Sequence, residues 1–209
     1  MKFKGTARKK PSCQELDLEG YKKEDADYLK PLQELKDYAN KNLRQYLAGF
    51  YLHGSLATKD YIKRWSDVDT FGIVSENTIN RPKLLIELRD MIYYMRYFFY
   101  KIDPLQHHGT ILVSEYDLGN YCQAYFPLKV LKYAKSFFGS EGQFKYSERD
   151  FSNEAITRLY WFIEYFRSLN EKENLSFNSY DSKNLLHSVT LFPTLYLQAK
   201  GIIVYKSIE

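Results

Sequence analysis

His53-Gly54-Ser55 is followed, after eleven residues, by Asp67-Val68-Asp69. A Gly-Ser turn that leaves a strand and enters a helix presents backbone N–H groups and a hydroxyl, a set suited to phosphate oxygens. Gly54 has no Cβ, so its backbone can come close to a ligand. Asp67 and Asp69 stand at i and i+2. On a strand both carboxylates would share one face and Val68 would turn to the other. Their mutual repulsion costs about 1 kcal/mol or more at a protein-like dielectric, and a divalent cation removes it. Mg2+ takes one or two carboxylates plus substrate phosphates. Two such ions can orient an attacking hydroxyl and steady a pyrophosphate leaving group. An Asp-x-Asp alone often caps a turn or faces solvent, and a Gly-Ser alone says less. The succession strand, Gly-Ser, short helix, Ser66, Asp-Val-Asp and apolar strand carries the reading.

Other groups are weaker candidates. Lys59, Lys63 and Arg64 precede Asp67 and could touch a triphosphate, although such a run is more often solvated. His53 reads as a packed strand residue, His187 as a structural histidine on a helix, and Asp60 as a surface charge. Glu154 and Glu164 are candidate general bases for an acceptor hydroxyl, and nothing in their spacing selects either.

Apolar periodicity supplies the supporting elements. Leu29, Leu32, Leu35, Ala39, Leu43 and Leu47 predict a helix over about 25–47, ended by Gly49. Phe50 to His53 is a short strand, residues 56–61 make one or two helical turns, and Asp67 to Val74 is a second strand. Asn80 caps a helix with Pro82 just inside it, with an apolar stripe from Leu84 to Phe99, broken at Asp103-Pro104. Thr110 to Glu115 is a third strand. The second half reads as helical: Leu128 to Phe138 stopped by Gly139, a helix capped by Ser152 and running to Leu169, a polar loop from Asn170 to Ser182, and a helix from Leu185 to Ala199. That last helix is expected to bend at Pro193 and end at Gly201. The change of character lies near Gly139 to Asp150.

Composition sets the bounds. The 209 residues suit one large domain or two small ones. A net charge of +4 permits a polyanionic ligand without requiring nucleic acid. Lys2, Lys4, Arg8, Lys9 and Lys10 make the start basic, and a disordered tail is preferred there to a nucleic-acid arm. Two cysteines, Cys13 and Cys122, give neither a disulfide framework nor a CxxC zinc pair. No signal-peptide core is visible. The most apolar stretch, Met91 to Tyr100, is interrupted by Arg96 and too short to span a bilayer. No membrane association is expected, and the expected location is the cytoplasm.

The stretch from Leu52 to Asp69 resembles the signature of the DNA polymerase beta-like nucleotidyltransferase superfamily: an apolar residue, Gly, Gly or Ser, a gap, then acid, apolar residue, acid. Leu52, Gly54, Ser55, Asp67, Val68 and Asp69 match it, and Ser66 is usual before the first acid. The match covers about residues 25–115. The helical half is similar to the companion domain of aminoglycoside and minimal nucleotidyltransferases. The resemblance implies an α+β fold, with a mixed β-sheet flanked by helices and followed by a C-terminal helical bundle. With the basic segment over 1–24 read as flexible, it implies a nucleotidyltransferase domain over 25–125 and a helical domain over 126–209, the latter with a shortened end. Gly54 and Ser55 would contact the triphosphate, and Asp67 and Asp69 would bind Mg2+, with Mn2+ an option.

The implied reaction moves an NMP group from an NTP, foremost ATP, to a hydroxyl of a small molecule or protein. The departure concerns the third acid that active members add on a neighbouring strand. Asp103, Glu115 and Asp117 are candidates, yet spacing puts His108 or Thr110 near that place. A neutral imidazole can ligate a metal, though Mg2+ favours oxygen, so His108 joins the candidate metal ligands. Strand alternation lets only one of His107 and His108 reach the site. The alternatives are a weakened nucleotide-binding or antitoxin-like module and, last, template-free polymerisation on RNA.

Overall fold

A computed structural model describes residues 13–123, 126, 128–139, 150–170 and 178–202. The basic residues from Lys2 to Lys10, most of the expected boundary near Gly139 to Asp150, most of the polar loop and the last residues lie outside this set.

The chain is α+β, with a mixed five-stranded sheet flanked by helices. In chain order the elements are β1 (Gln14–Glu15), α1 (Ala26–Asn42), β2 (Leu47–His53), α2 (Gly54–Thr58), β3 (Asp69–Val74), α3 (Glu76–Ile79), α4 (Pro82–Ile102), β4 (Ile111–Ser114), β5 (Lys135–Phe138), α5 (Ser152–Asn170) and α6 (Ser179–Ala199). The sheet order is β1-β5-β2-β3-β4. β2 is central and antiparallel to both β3 and β5, while β3–β4 and β1–β5 are parallel.

A central strand is covered on both faces, so β2 is apolar nearly throughout. Phe50 and Leu52 enter a core shared with Leu32, Leu35 and Ala39 of α1 and Met95, Phe99 and Ile102 of α4. Tyr51 enters a second core with Phe71, Ile73, Val113, Leu128 and Leu131. Each large side chain buried this way contributes about 1.5–3 kcal/mol. The two cores hold β2 and β3 rigidly; β2 ends and β3 begins at the candidate site.

Several expectations are corrected. α1 stops at Asn42, and Leu47 and Gly49 belong to β2; a Cβ on Gly49 would lie 2.3 Å from the Tyr51 hydroxyl oxygen. Residues 13–24 are not a loose segment: β1 pairs with β5, and Leu16 and Tyr21 are buried. The helix expected from Leu128 to Phe138 is a 3-10 stretch, Leu128–Tyr133, followed by β5. Its apolar residues pack against β2 and Phe71, so the sheet extends past the expected boundary at 125/126. α6 starts at Ser179, where the Asn178 side chain accepts from the Asp181 N–H at 2.9 Å, and it runs through Pro193. α4 begins at Pro82 and ends before Asp103 as read from the sequence, but Arg81 holds its N-cap position and Asn80 instead closes α3. Ser152 is the first residue of α5 rather than its cap, and its N–H donates to Asp150 Oδ1 at 2.9 Å.

Candidate metal and phosphate site

β2 hands the chain to a tight turn. His53 pairs with Asp69 across the β2–β3 ladder, so the first residue of β3 lies beside the turn that follows β2. Gly54 has φ +69°, a conformation that L side chains resist. A Cβ there would sit 2.3 Å from Asp69 Oδ2. Glycine is therefore required twice, by backbone and by space. The Gly-Ser turn and the second acid of the motif converge.

Val68 is fully buried in the core under α1 and α4, with Asp67 and Asp69 to either side. Gln106 fixes this backbone. Its Oε1 accepts from the Val68 N–H at 2.8 Å, and its Nε2 donates to the Val68 and His108 carbonyls at 3.3 and 2.8 Å. Asp69 is half-buried. Burial, and then the charge of Asp67, push its pKa up to about 7, with Lys183 pulling the other way. A site that raises a carboxylate this way has an unmet demand for positive charge.

Part of the demand is met from α6. Lys183 Nζ donates to Asp67 Oδ1 at 2.7 Å and also to Asp103 Oδ2. The three side chains are 4%, 6% and 0% exposed, so the ion network is dry. Burial works against ionised Asp67, but His107 and Lys183 outweigh it and hold its pKa well below the ordinary carboxylate range. Asp103 is pushed up by burial despite Lys183. Asp67 precedes β3, Asp103 follows α4 and Lys183 rides on α6, so one cation ties three elements together.

The chain has four histidines, and three of them, His107, His108 and His187, converge. His107 Nδ1 lies 3.2 Å from Asp67 Oδ2, yet neither His107 ring nitrogen has a hydrogen-bond partner, and the side chain is 4% exposed. His108 Nε2 and His187 Nε2 are 3.3 Å apart. One ligand atom from each of Asp67, His107, His108 and His187 fits within 4.8 Å of the others. His53 packs its ring on Phe126 at 4.4 Å, and its Nε2 is buried without a partner. Burial lowers the pKa of His53 to about 3 and of His108 to about 4, and lowers that of His187. Those three imidazoles are neutral at pH 7, the form that ligates metal.

Two expectations about histidine are thus corrected. Residues 107–110 precede β4, so strand alternation does not apply and both His107 and His108 reach the cluster. His187 is part of the cluster too. Among the third-acid candidates only Asp103 arrives, through Lys183. Glu115 accepts from the Glu76 N–H at 2.7 Å, Asp117 from the Ser114 hydroxyl at 2.6 Å, and Thr110 bonds the Thr70 hydroxyl at 2.8 Å.

The basic residues before Asp67 point elsewhere. Lys59 lies over the Tyr21 ring at 5.0 Å, Lys63 pairs with Asp25, and Arg64 lines an open groove with Tyr28 and Pro104. Glu154 accepts from the Gln123 N–H at 2.8 Å, and exposed Glu164 pairs with Arg167 at 2.6 Å.

Sequence reasoning missed Lys183 and Gln106 as site residues. A signal for Lys183 existed. Asn178 is a good cap, and a helix begun there puts residues 183 and 187 at i and i+4, on one face. No family model matches the chain and no curated protein matches its sequence, so the site's chemistry is read from its geometry.

Proposed function

We propose that the chain is a metal-dependent nucleotidyltransferase. It would move an NMP group from an NTP, with ATP the first to test, to an acceptor hydroxyl on a small molecule or a protein. The acceptor oxygen bonds to the α-phosphorus, the α–β phosphoanhydride breaks, and pyrophosphate leaves. The observation that carries this reading is the meeting of the Gly54 turn with Asp69, 2.3 Å from a Cβ that glycine lacks, with Asp67 close enough to raise Asp69.

Gly54 and Ser55 would hold the β- and γ-phosphates, and Asp67 with Asp69 would hold Mg2+ or Mn2+. The ion would neutralise charge on the phosphates and activate the acceptor hydroxyl. The chain's own contribution is positioning: Gln106 and Val68 fix the spacing of the acids, and the two cores fix the turn. A net charge of +4 spread over 209 residues favours a nucleotide over a nucleic acid as partner. No helix among the described residues is long and apolar enough to cross a membrane. With only two cysteines, Cys13 buried and Cys122 exposed, we place the protein in the cytoplasm.

One observation favours a second reading, a nucleotide-binding or antitoxin-like module of the same fold with weakened catalysis. Lys183 already supplies a positive charge to Asp67 and Asp103. Titration calorimetry with several NTPs and Mg2+ or Mn2+ measures binding, and pyrophosphate release over an acceptor panel measures turnover. The enzyme reading expects turnover that Asp67→Asn abolishes in a folded protein. Binding without turnover favours the module, and undiminished pyrophosphate release by Asp67→Asn defeats the enzyme assignment.

A further inference from the structure

The histidine cluster offers a chemistry that oxygen-loving Mg2+ does not use. Imidazole suits borderline ions such as Zn2+, whereas Mg2+ selects oxygen ligands. Two of the six ligand–ligand distances match such an ion, and one ligand atom from each of the four residues lies within 4.8 Å of the others. Two imidazoles bound tetrahedrally at Zn–N distances of about 2.0–2.1 Å hold their nitrogens about 3.3–3.4 Å apart. His108 Nε2 and His187 Nε2 are 3.3 Å apart, and His107 Nδ1 is 3.2 Å from Asp67 Oδ2. A hydrogen bond between His108 and His187 would account for the first pair alone. It leaves His107 Nε2 buried without a partner while Nδ1 faces Asp67, a cost that buried polar groups normally avoid.

We propose that Asp67, His107, His108 and His187 form a four-coordinate site for a divalent zinc-class ion that locks α6 onto the sheet. The site shares Asp67 with the proposed Mg2+ seat but takes neither Asp69 nor the Gly54 turn, and zinc binding is read without nucleotide turnover. His108 and His187 lie 79 residues apart in sequence, so the ion cross-links the strand-bearing half to the last described helix. Outer partners are in place. Lys183, one turn before His187, holds the other oxygen of Asp67, and Gln106 holds the His108 carbonyl. Such partners orient ligands and commonly tune metal affinity.

The test starts from full-length protein stripped with a chelator and titrated with zinc chloride alone. One Zn2+ per chain is expected, and an excess of MgCl2 should not displace it. Co2+ in its place should give the intense visible bands of a tetrahedral ion. His107→Ala and His187→Ala should each weaken zinc binding by at least about 100-fold, the upper end of what losing an outer partner costs. Asp69→Asn should keep the affinity. Absence of stoichiometric zinc, a weak octahedral Co2+ spectrum, or affinity unchanged in both histidine variants overturns the site. Should a histidine variant fail to fold, the wild-type Co2+ spectrum still decides.

Discussion

Asp69→Asn separates the needs of chemistry from those of folding. The carboxyl of Asp69 has its pKa raised from the ordinary 3.8 to about 7, chiefly by burial and then by Asp67. Its ionised form is therefore disfavoured in the folded, metal-free chain. The unfolded chain releases that proton near pH 4, and the folded chain releases it only near 7. As pH rises through this window the unfolded state gains by ionising, so wild-type stability falls. A rise from 3.8 to about 7 corresponds to a ceiling of about 4 kcal/mol. Asp69 keeps some solvent contact, so the expected cost at pH 8 is nearer 1–3 kcal/mol.

Asparagine has the same shape and no charge. Urea denaturation in EDTA should find Asp69→Asn equal to wild type near pH 4 and more stable by that amount at pH 8. The same variant should lose pyrophosphate release. An Asn variant that is less stable at pH 8, or whose advantage does not change with pH, would show that Asp69 carries no electrostatic burden and refute the reasoning.

Three further outcomes follow from the site. Lys183→Met leaves two buried carboxylates without their cation. It should cost about 3–5 kcal/mol at pH 7, measured by thermal and urea unfolding, and the loss should shrink as the acids protonate at lower pH. Gly54→Ala meets a positive φ and Asp69 Oδ2 at 2.3 Å. The left-handed conformation alone costs about 1–2 kcal/mol, and calorimetry should show NTP binding reduced more than stability. Gln106→Ala frees the Val68 N–H and carbonyl in the interior. It should destabilise the protein by about 2–3 kcal/mol, and in a variant still folded by circular dichroism turnover should fall with the spacing of the acids.

The sequence made the phosphate turn legible because its requirements are local. Only glycine fits a tight bend beside a strand carboxylate. Strand alternation is not what brings Asp67 beside Asp69, because β3 begins at Asp69 and Asp67 precedes it. Elements with local stop and start chemistry, α4 at Pro82 and α5 at Ser152, were readable for the same reason. β5 was not. Leu128 to Phe138 has helical spacing, and only the partner edge of β2 selects an extended form for its end. Gly49 reads as a helix stop unless β2 is known to begin at Leu47, which places the Tyr51 side chain, two residues on, where a Gly49 Cβ would be. Strand alternation does not sort His107 and His108, which lie four and three residues before β4 begins, and His187 is far along the chain from both. Lys183 falls between the polar loop read to Ser182 and the helix read from Leu185, whereas the Asn178 cap starts α6 at Ser179 and puts Lys183 on it.

Because α6 delivers Lys183 to a pair of sheltered aspartates, the two halves of the chain are not interchangeable modules. A fragment ending before residue 179 would retain both acids and lose their counter-ion. Swapping the helical half for another of similar length would impose the same defect unless the graft brought an ammonium group to the same spot. Any lineage that kept this sheet while altering its C-terminal helices would be forced to change Asp103 in step.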